Sequence, residues 1–87
     1  MDLKLTMQMM DGTALIKAYL NDLQIGYLHL LKRRGYWTAQ DVGVDPPHRR
    51  RGVATAMYNH AEENGMNIEP SEAQTSDAEA FWRSRRS

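Results

Sequence analysis

The pair Pro46-Pro47 splits this chain into two stretches of different hydrophobic period. Proline has no backbone donor and a fixed φ, so no central strand runs through the pair. Before it, Leu3, Leu5, Met7 and Met9 alternate with Lys4, Thr6 and Gln8, the period-two pattern of a strand with one buried face. Asp11-Gly12 follows. Such a pair suits a two-residue primed turn with positive φ at both positions, which returns Thr13 to Leu20 antiparallel to the first strand. Asn21-Asp22 turns the chain again. Leu23, Ile25 and Tyr27 alternate in a third strand, and Lys32-Arg33-Arg34-Gly35 leads into a fourth, Tyr36 to Val44.

Beyond the prolines the spacing becomes helical. From about Arg51, the residues Val53, Met57 and Ala61 share a face, and Asn64-Gly65 supplies a left-handed stop. Met66-Asn67-Ile68 reads as a short fifth strand. Ser76-Asp77-Ala78-Glu79 has capping-box form and opens a short final helix that carries Ala78, Phe81 and Trp82 on one face. The pattern describes one α/β domain over residues 1–87, with a mainly antiparallel twisted sheet of about five strands, a main helix after the fourth and a short C-terminal helix. A chain of 87 residues supports one modest core.

Charge and composition narrow the function classes. Lys plus Arg equals Asp plus Glu at 11 each, so no global field draws the protein to nucleic acid or an anionic membrane. With no cysteine, a disulfide framework, a thiolate zinc site and a cysteine nucleophile are excluded. His29, His48 and His60 lack the spacing of a metal site, and no metal is expected. No apolar run approaches the roughly 20 residues of a spanning helix, and the start lacks a signal-peptide core, so the expected location is cytoplasmic.

The stretch Val42-Gly43-Val44-Asp45-Pro46-Pro47-His48-Arg49-Arg50-Arg51-Gly52-Val53-Ala54-Thr55 is a strand, a proline break, a glycine turn and a helix start. A helix N-terminus presents unpaired amide donors and the positive end of its dipole. A glycine there lets phosphate oxygens approach the main chain. The turn therefore has the makings of a diphosphate cradle, with three arginines adding local charge.

At these residues the sequence resembles the GNAT acetyltransferase superfamily, whose signature is Gln or Arg, two residues, Gly, one residue, then Gly or Ala. Arg49, Gly52 and Ala54 match it, and Val44-Asp45-Pro46 matches the Val-x-Pro step that often precedes it. The family's last core helix often reads Asn, two residues, Ala, three residues, Tyr; Thr75, Ala78 and Trp82 stand at those spacings here. The resemblance covers roughly residues 22 to 84 and implies a truncated GNAT-like fold. Members usually place two helices between their first two strands, where they help shape the acceptor site; here Asp11-Gly12 joins those strands. The chain also stops before the family's usual final strand pair.

The resemblance implies acetyl-CoA, or another acyl-CoA, as co-substrate. Its contacts would be Val42, Gly43 and Val44 for the pantetheine arm and Arg49, Arg50, Arg51, Gly52, Val53, Ala54 and Thr55 for the diphosphate, with Thr75 and Trp82 nearby. It also implies direct attack of a primary amine, on a small molecule or a protein, on the thioester, with a main-chain N–H stabilising the oxyanion. Trp82 stands where the family's proton-donating tyrosine is expected, and an indole N–H is far too weak an acid for that role. Tyr58 or water is then the candidate proton source. Asp41, Gln40 and Glu69 are the base or water-orienting candidates, with Asp41 preferred for its charge.

Other readings compete. The glycine turn alone is also an ordinary strand-to-helix connection, and the domain could be a silent coenzyme A-binding or protein-interaction module. The clusters Lys32-Arg33-Arg34, Arg49-Arg50-Arg51, and Arg83 with Arg85 and Arg86 could form a nucleic-acid surface. Zero net charge and the absence of an exposed aromatic stripe speak against that. The alternating methionines of the first strand suit sheet packing, or an edge through which two copies pair as a homodimer.

Overall fold

The computed structural model describes residues 3–69. In chain order the elements are β1 (Leu3–Met10), β2 (Thr13–Leu20), β3 (Leu23–Lys32), β4 (Trp37–Val44), a 3-10 turn (Pro46–His48), α1 (Val53–Glu63) and β5 (Ile68–Glu69). They form one five-stranded sheet in the order β1-β2-β3-β4-β5. The first four strands are an antiparallel meander, and β5 joins β4 in parallel. A parallel neighbour needs a crossover, and α1 supplies it. This is the α/β arrangement the periodicity predicts; the final helix expected from Ser76 lies outside the described residues.

Alternation decides which face is buried. Ala14, Ile16 and Ala18 of β2 are fully buried and stand in register with Leu30, Leu28 and Gly26 of β3. The helix lies over this face: a Cβ at Gly26 would come within 3.2 Å of the Val53 side chain and 3.4 Å of Met57. Val53, Met57, Tyr58 and Ala61 line the buried stripe of α1, spaced as an amphipathic helix requires. Leu3, Leu5 and Met7 pack against the same core from β1. Burying one such side chain contributes about 1.5–3 kcal/mol.

Two details depart from the sequence reading. At the β1–β2 turn only Gly12 has positive φ, at +74°, so Asp11-Gly12 is not a primed turn of the left-handed-pair type. That type appears at Asn21-Asp22, with φ of 52° and 66°, where Asn and Asp tolerate the left-handed region. The second departure is in β3. Ala18 pairs with Gly26 but Tyr19 pairs with Gln24, which leaves Ile25 as an extra residue. This bulge buries Ile25 and sends Tyr27 to the face opposite α1, so Leu23, Ile25 and Tyr27 do not share one face; Leu23 is 63% exposed.

Candidate functional site

The connection from β4 to α1 is built from backbone conformations that few residues adopt. Asp45 ends the strand, its N–H donating to the Ile25 carbonyl at 2.8 Å. Pro46 and Pro47 then form the 3-10 turn. Arg49 leaves it extended, and its Nε donates to the Val44 carbonyl at 3.0 Å. Of the three arginines, Arg49 therefore ties the turn back onto the strand end. Arg50 takes φ of 62°, a conformation that costs a non-glycine residue about 1–2 kcal/mol and that clusters at ligand clamps. Gly52 follows at φ of 82° and caps α1.

This cap leaves the helix N-terminus open. No side chain caps it, and the first helical bond runs from the Ala56 N–H to the Gly52 carbonyl at 2.9 Å. Among the described residues, no main-chain carbonyl accepts from Val53, Ala54 or Thr55. A Cβ built on Gly52 would meet nothing within 4 Å. Gly52 is thus required by its φ and not by crowding, and a helix start whose first three amides lack a described main-chain acceptor suits an anion. Arg50 and Arg51 are exposed beside it.

Strand β4 leads into this turn. The parallel pairing covers only Trp37 with Ile68 and Thr38 with Glu69; from Ala39 to Val44 that edge of β4 has no described partner. On its other edge β4 follows β3 throughout, with one irregularity. His29 pairs with Asp41 and Leu30 with Ala39, which makes Gln40 an extra residue. A bulge of this kind bends and twists its strand and is frequent beside active sites. Here it falls just beyond the described β4–β5 pairing.

The register also fills the sheet face away from α1. Tyr27 stands opposite Gly43 and His29 opposite Asp41. The Tyr27 ring lies across Gly43 so closely that a Cβ there would come within 2.6 Å of it. Its hydroxyl donates to Asp41 Oδ2 at 2.9 Å. This hydrogen bond, which only the neutral phenol can give, raises the Tyr27 pKa above its ordinary 10.0; partial desolvation and the Asp41 charge add to the effect. A cleft of about 380 Å³ lies beside the ring and reaches Gln24, Gly26, Val44, Asp45, Pro46 and Arg49. It connects the base of the β3–β4 hairpin to the glycine turn.

The sequence-predicted residues therefore fall into three places. Arg49, Arg50, Arg51, Gly52, Val53, Ala54 and Thr55 come together at the helix start, although Val53 turns its side chain into the core at 1% exposure and only its amide faces the opening. Val42, Gly43 and Val44 form the end of β4, with Asp41 at its bulge. Tyr58 is 3% exposed and belongs to the core under α1, on the face opposite Asp41. Gln40 is exposed at the bulge and Glu69 ends β5. Thr75 and Trp82 lie outside the described residues. Sequence reasoning missed Tyr27 and His29 as neighbours of Asp41. An aromatic and a glycine in adjacent predicted strands was the available signal, since rings commonly cover cross-strand glycines.

The sequence matches the acetyltransferase (GNAT) domain family over residues 11–85. The chain belongs to the GNAT family. Its fold is shared with the ribosomal-protein-S18-alanine N-acetyltransferase of Escherichia coli at a TM-score of 0.69 and 18% identity, over 88% of this chain and 54% of that one. The PaiA N-acetyltransferase of Thermoplasma acidophilum, solved in complex with coenzyme A, superposes at 0.71 with 14% identity, over 85% of this chain and 50% of that one. A ribosomal-protein-alanine N-acetyltransferase of Brucella melitensis biovar Abortus 2308 gives 0.66 and 15%, over 85% and 61%. This GNAT domain thus spans about half to three-fifths of the length of those proteins. No curated protein matches the sequence. Among the described residues of the GNAT domain, no three His, Asp or Glu side chains gather as a metal-binding group, and no helix is long and apolar enough to cross a membrane.

Proposed function

We propose that this GNAT domain binds an acyl-CoA, acetyl-CoA in the first instance, and transfers its acyl group to a primary amine. The observation that carries the reading is the helix start: among the described residues the amides of Val53, Ala54 and Thr55 have no main-chain partner, and a Cβ on Gly52 would meet nothing within 4 Å. Two phosphates are the natural occupants, because a helix N-terminus favours negative charge and offers its donors without further reorganisation. The guanidinium groups of Arg50 and Arg51 add charge-assisted contacts. The pantetheine arm runs from there along β4, past Val44, Gly43 and Val42, which directs the thioester towards the bulge at Gln40 and Asp41.

There the amine attacks the thioester carbonyl. The C–N bond forms, the C–S bond breaks, and the coenzyme A thiolate leaves with the electron pair. The incoming ammonium loses two protons in all, one ending on the thiolate and one in solvent. A main-chain N–H of β4 stabilises the oxyanion. Asp41, exposed at the bulge, is the acidic group positioned to receive the ammonium; Tyr58, enclosed in the core, is on the wrong face to protonate the thiolate, and that proton comes from water.

Acetyl-CoA incubated with a panel of primary amines, N-terminal peptides and polyamines tests this through release of free thiol. The reading predicts thiol release that depends on one of the acceptors and is lost in Gly52→Glu. Binding of acetyl-CoA with no thiol release for any acceptor would make the domain a silent coenzyme A binder. The placement of two of the three clusters speaks against the nucleic-acid alternative; Arg83, Arg85 and Arg86 lie outside the described residues. The Lys32-Arg33-Arg34 and Arg49-Arg50-Arg51 clusters stand at opposite ends of the β3–β4 hairpin, roughly 25 Å apart at the usual rise per strand residue, and do not merge into one basic surface.

A further inference from the structure

The transfer reading requires an amine to be received, and the outer face of β3 and β4 carries a preset group for it. Asp41 stands at the bulge of β4, exposed. Its Oδ2 accepts the Tyr27 hydroxyl at 2.9 Å, while no protein donor among the described residues reaches Oδ1. Tyr27 is itself held close, because its ring lies over Gly43, where any Cβ would intrude within 2.6 Å. The neighbours on this face are Lys17 and Gly43, both opposite Tyr27, and His29, opposite Asp41. A carboxylate on an open surface ordinarily samples several rotamers; one held by this phenol does not.

We propose that Tyr27 is a positioning residue for the acceptor: it engages one oxygen of Asp41 so that the other is presented to a protonated primary amine at the β4 bulge. This rests on the transfer reading for its purpose. The ligand class is a primary ammonium, whose N–H groups can donate to Asp41, and not a quaternary cation, which has charge without donors. The ammonium gives its first proton to water at the carboxylate, and the free amine then attacks the thioester as described above. Asp41 is the group in contact with substrate, and Tyr27 acts through it.

The test uses n-butylammonium as the probe, titrated into the protein with and without coenzyme A. NMR follows the Tyr27 ring and the Asp41 carboxyl carbon, with tetramethylammonium in parallel. The proposal predicts that butylammonium moves both signals saturably and that tetramethylammonium does not. Asp41→Asn should abolish the response of the ring. Tyr27→Phe should weaken the titration read at Asp41 by about tenfold, with the amide spectrum showing that both variants remain folded. Unchanged signals, an equal response to the quaternary ion, or an unaltered affinity in Tyr27→Phe would overturn it. The arm without coenzyme A reads the amine site by itself. A failure of cofactor binding at Gly52 would therefore show up separately from a failure here.

Discussion

At the scale of single residues, the backbone of the glycine turn makes two predictions of opposite sign. Gly52 has φ of 82°, and a Cβ added there would have nothing within 4 Å, so Gly52→Ala meets backbone strain and no clash. It should lower stability by about 1–2 kcal/mol, read by urea unfolding. Arg50 sits at φ of 62° with a full side chain, and Arg50→Gly should raise stability by up to about 1 kcal/mol in the same assay. A different effect governs Gly43, where the Tyr27 ring leaves no room. Gly43→Ala should push the ring aside and break its bond to Asp41. The Tyr27 hydroxyl titrates above its ordinary value because of that bond first. Its contribution to stability is therefore complete below pH 10.0 and is lost as pH rises through the raised folded-state pKa. Tyrosinate absorbance should show the Tyr27 step above its ordinary 10.0 in the wild type, and both Gly43→Ala and Asp41→Asn should lower it. If the late step persists in Asp41→Asn, the hydrogen bond is not its cause.

At the scale of elements, the close approach of α1 to β3 depends on Gly26. A Cβ there would lie 3.2 Å from both the Gly43 carbonyl and the Val53 side chain. Gly26→Val should force the helix away from the sheet and cost about 1–3 kcal/mol as overpacking. Because Val53 opens α1, the same change should also weaken cofactor binding, which calorimetry can separate from stability. The elements themselves were largely legible: β2 runs over the residues its pattern marks, Thr13–Leu20, and the break at Pro46-Pro47 divides sheet from helix. The bulges were not. Ile25 and Gln40 are ordinary strand residues, and nothing in a period-two pattern reveals that one partner strand has a residue too many. Each slip of one position exchanges faces, so the pairing of Tyr27 with Gly43 and the nearness of His29 to Asp41 depend on registers that only the folded sheet fixes. The glycine turn was readable because its signal is local: proline, arginine and glycine act on the φ angles of their own residues.

At the scale of the whole molecule, the fold is a small meander closed by one crossover helix, and binding at the helix start should stabilise all of it. With acetyl-CoA at about 100 times its dissociation constant, linkage adds about 2.7 kcal/mol. For a domain of this size that raises the melting temperature by roughly 10–20 °C. In the proposed reading, the amides at the start of α1, beside Gly52, hold the diphosphate of an acyl-CoA. Calorimetric titration of acetyl-CoA into the wild-type chain and into folded Gly52→Glu tests it most directly. One-site binding in the wild type that disappears in the variant is the predicted result; no heat from the wild type, or equal binding by both, would contradict it.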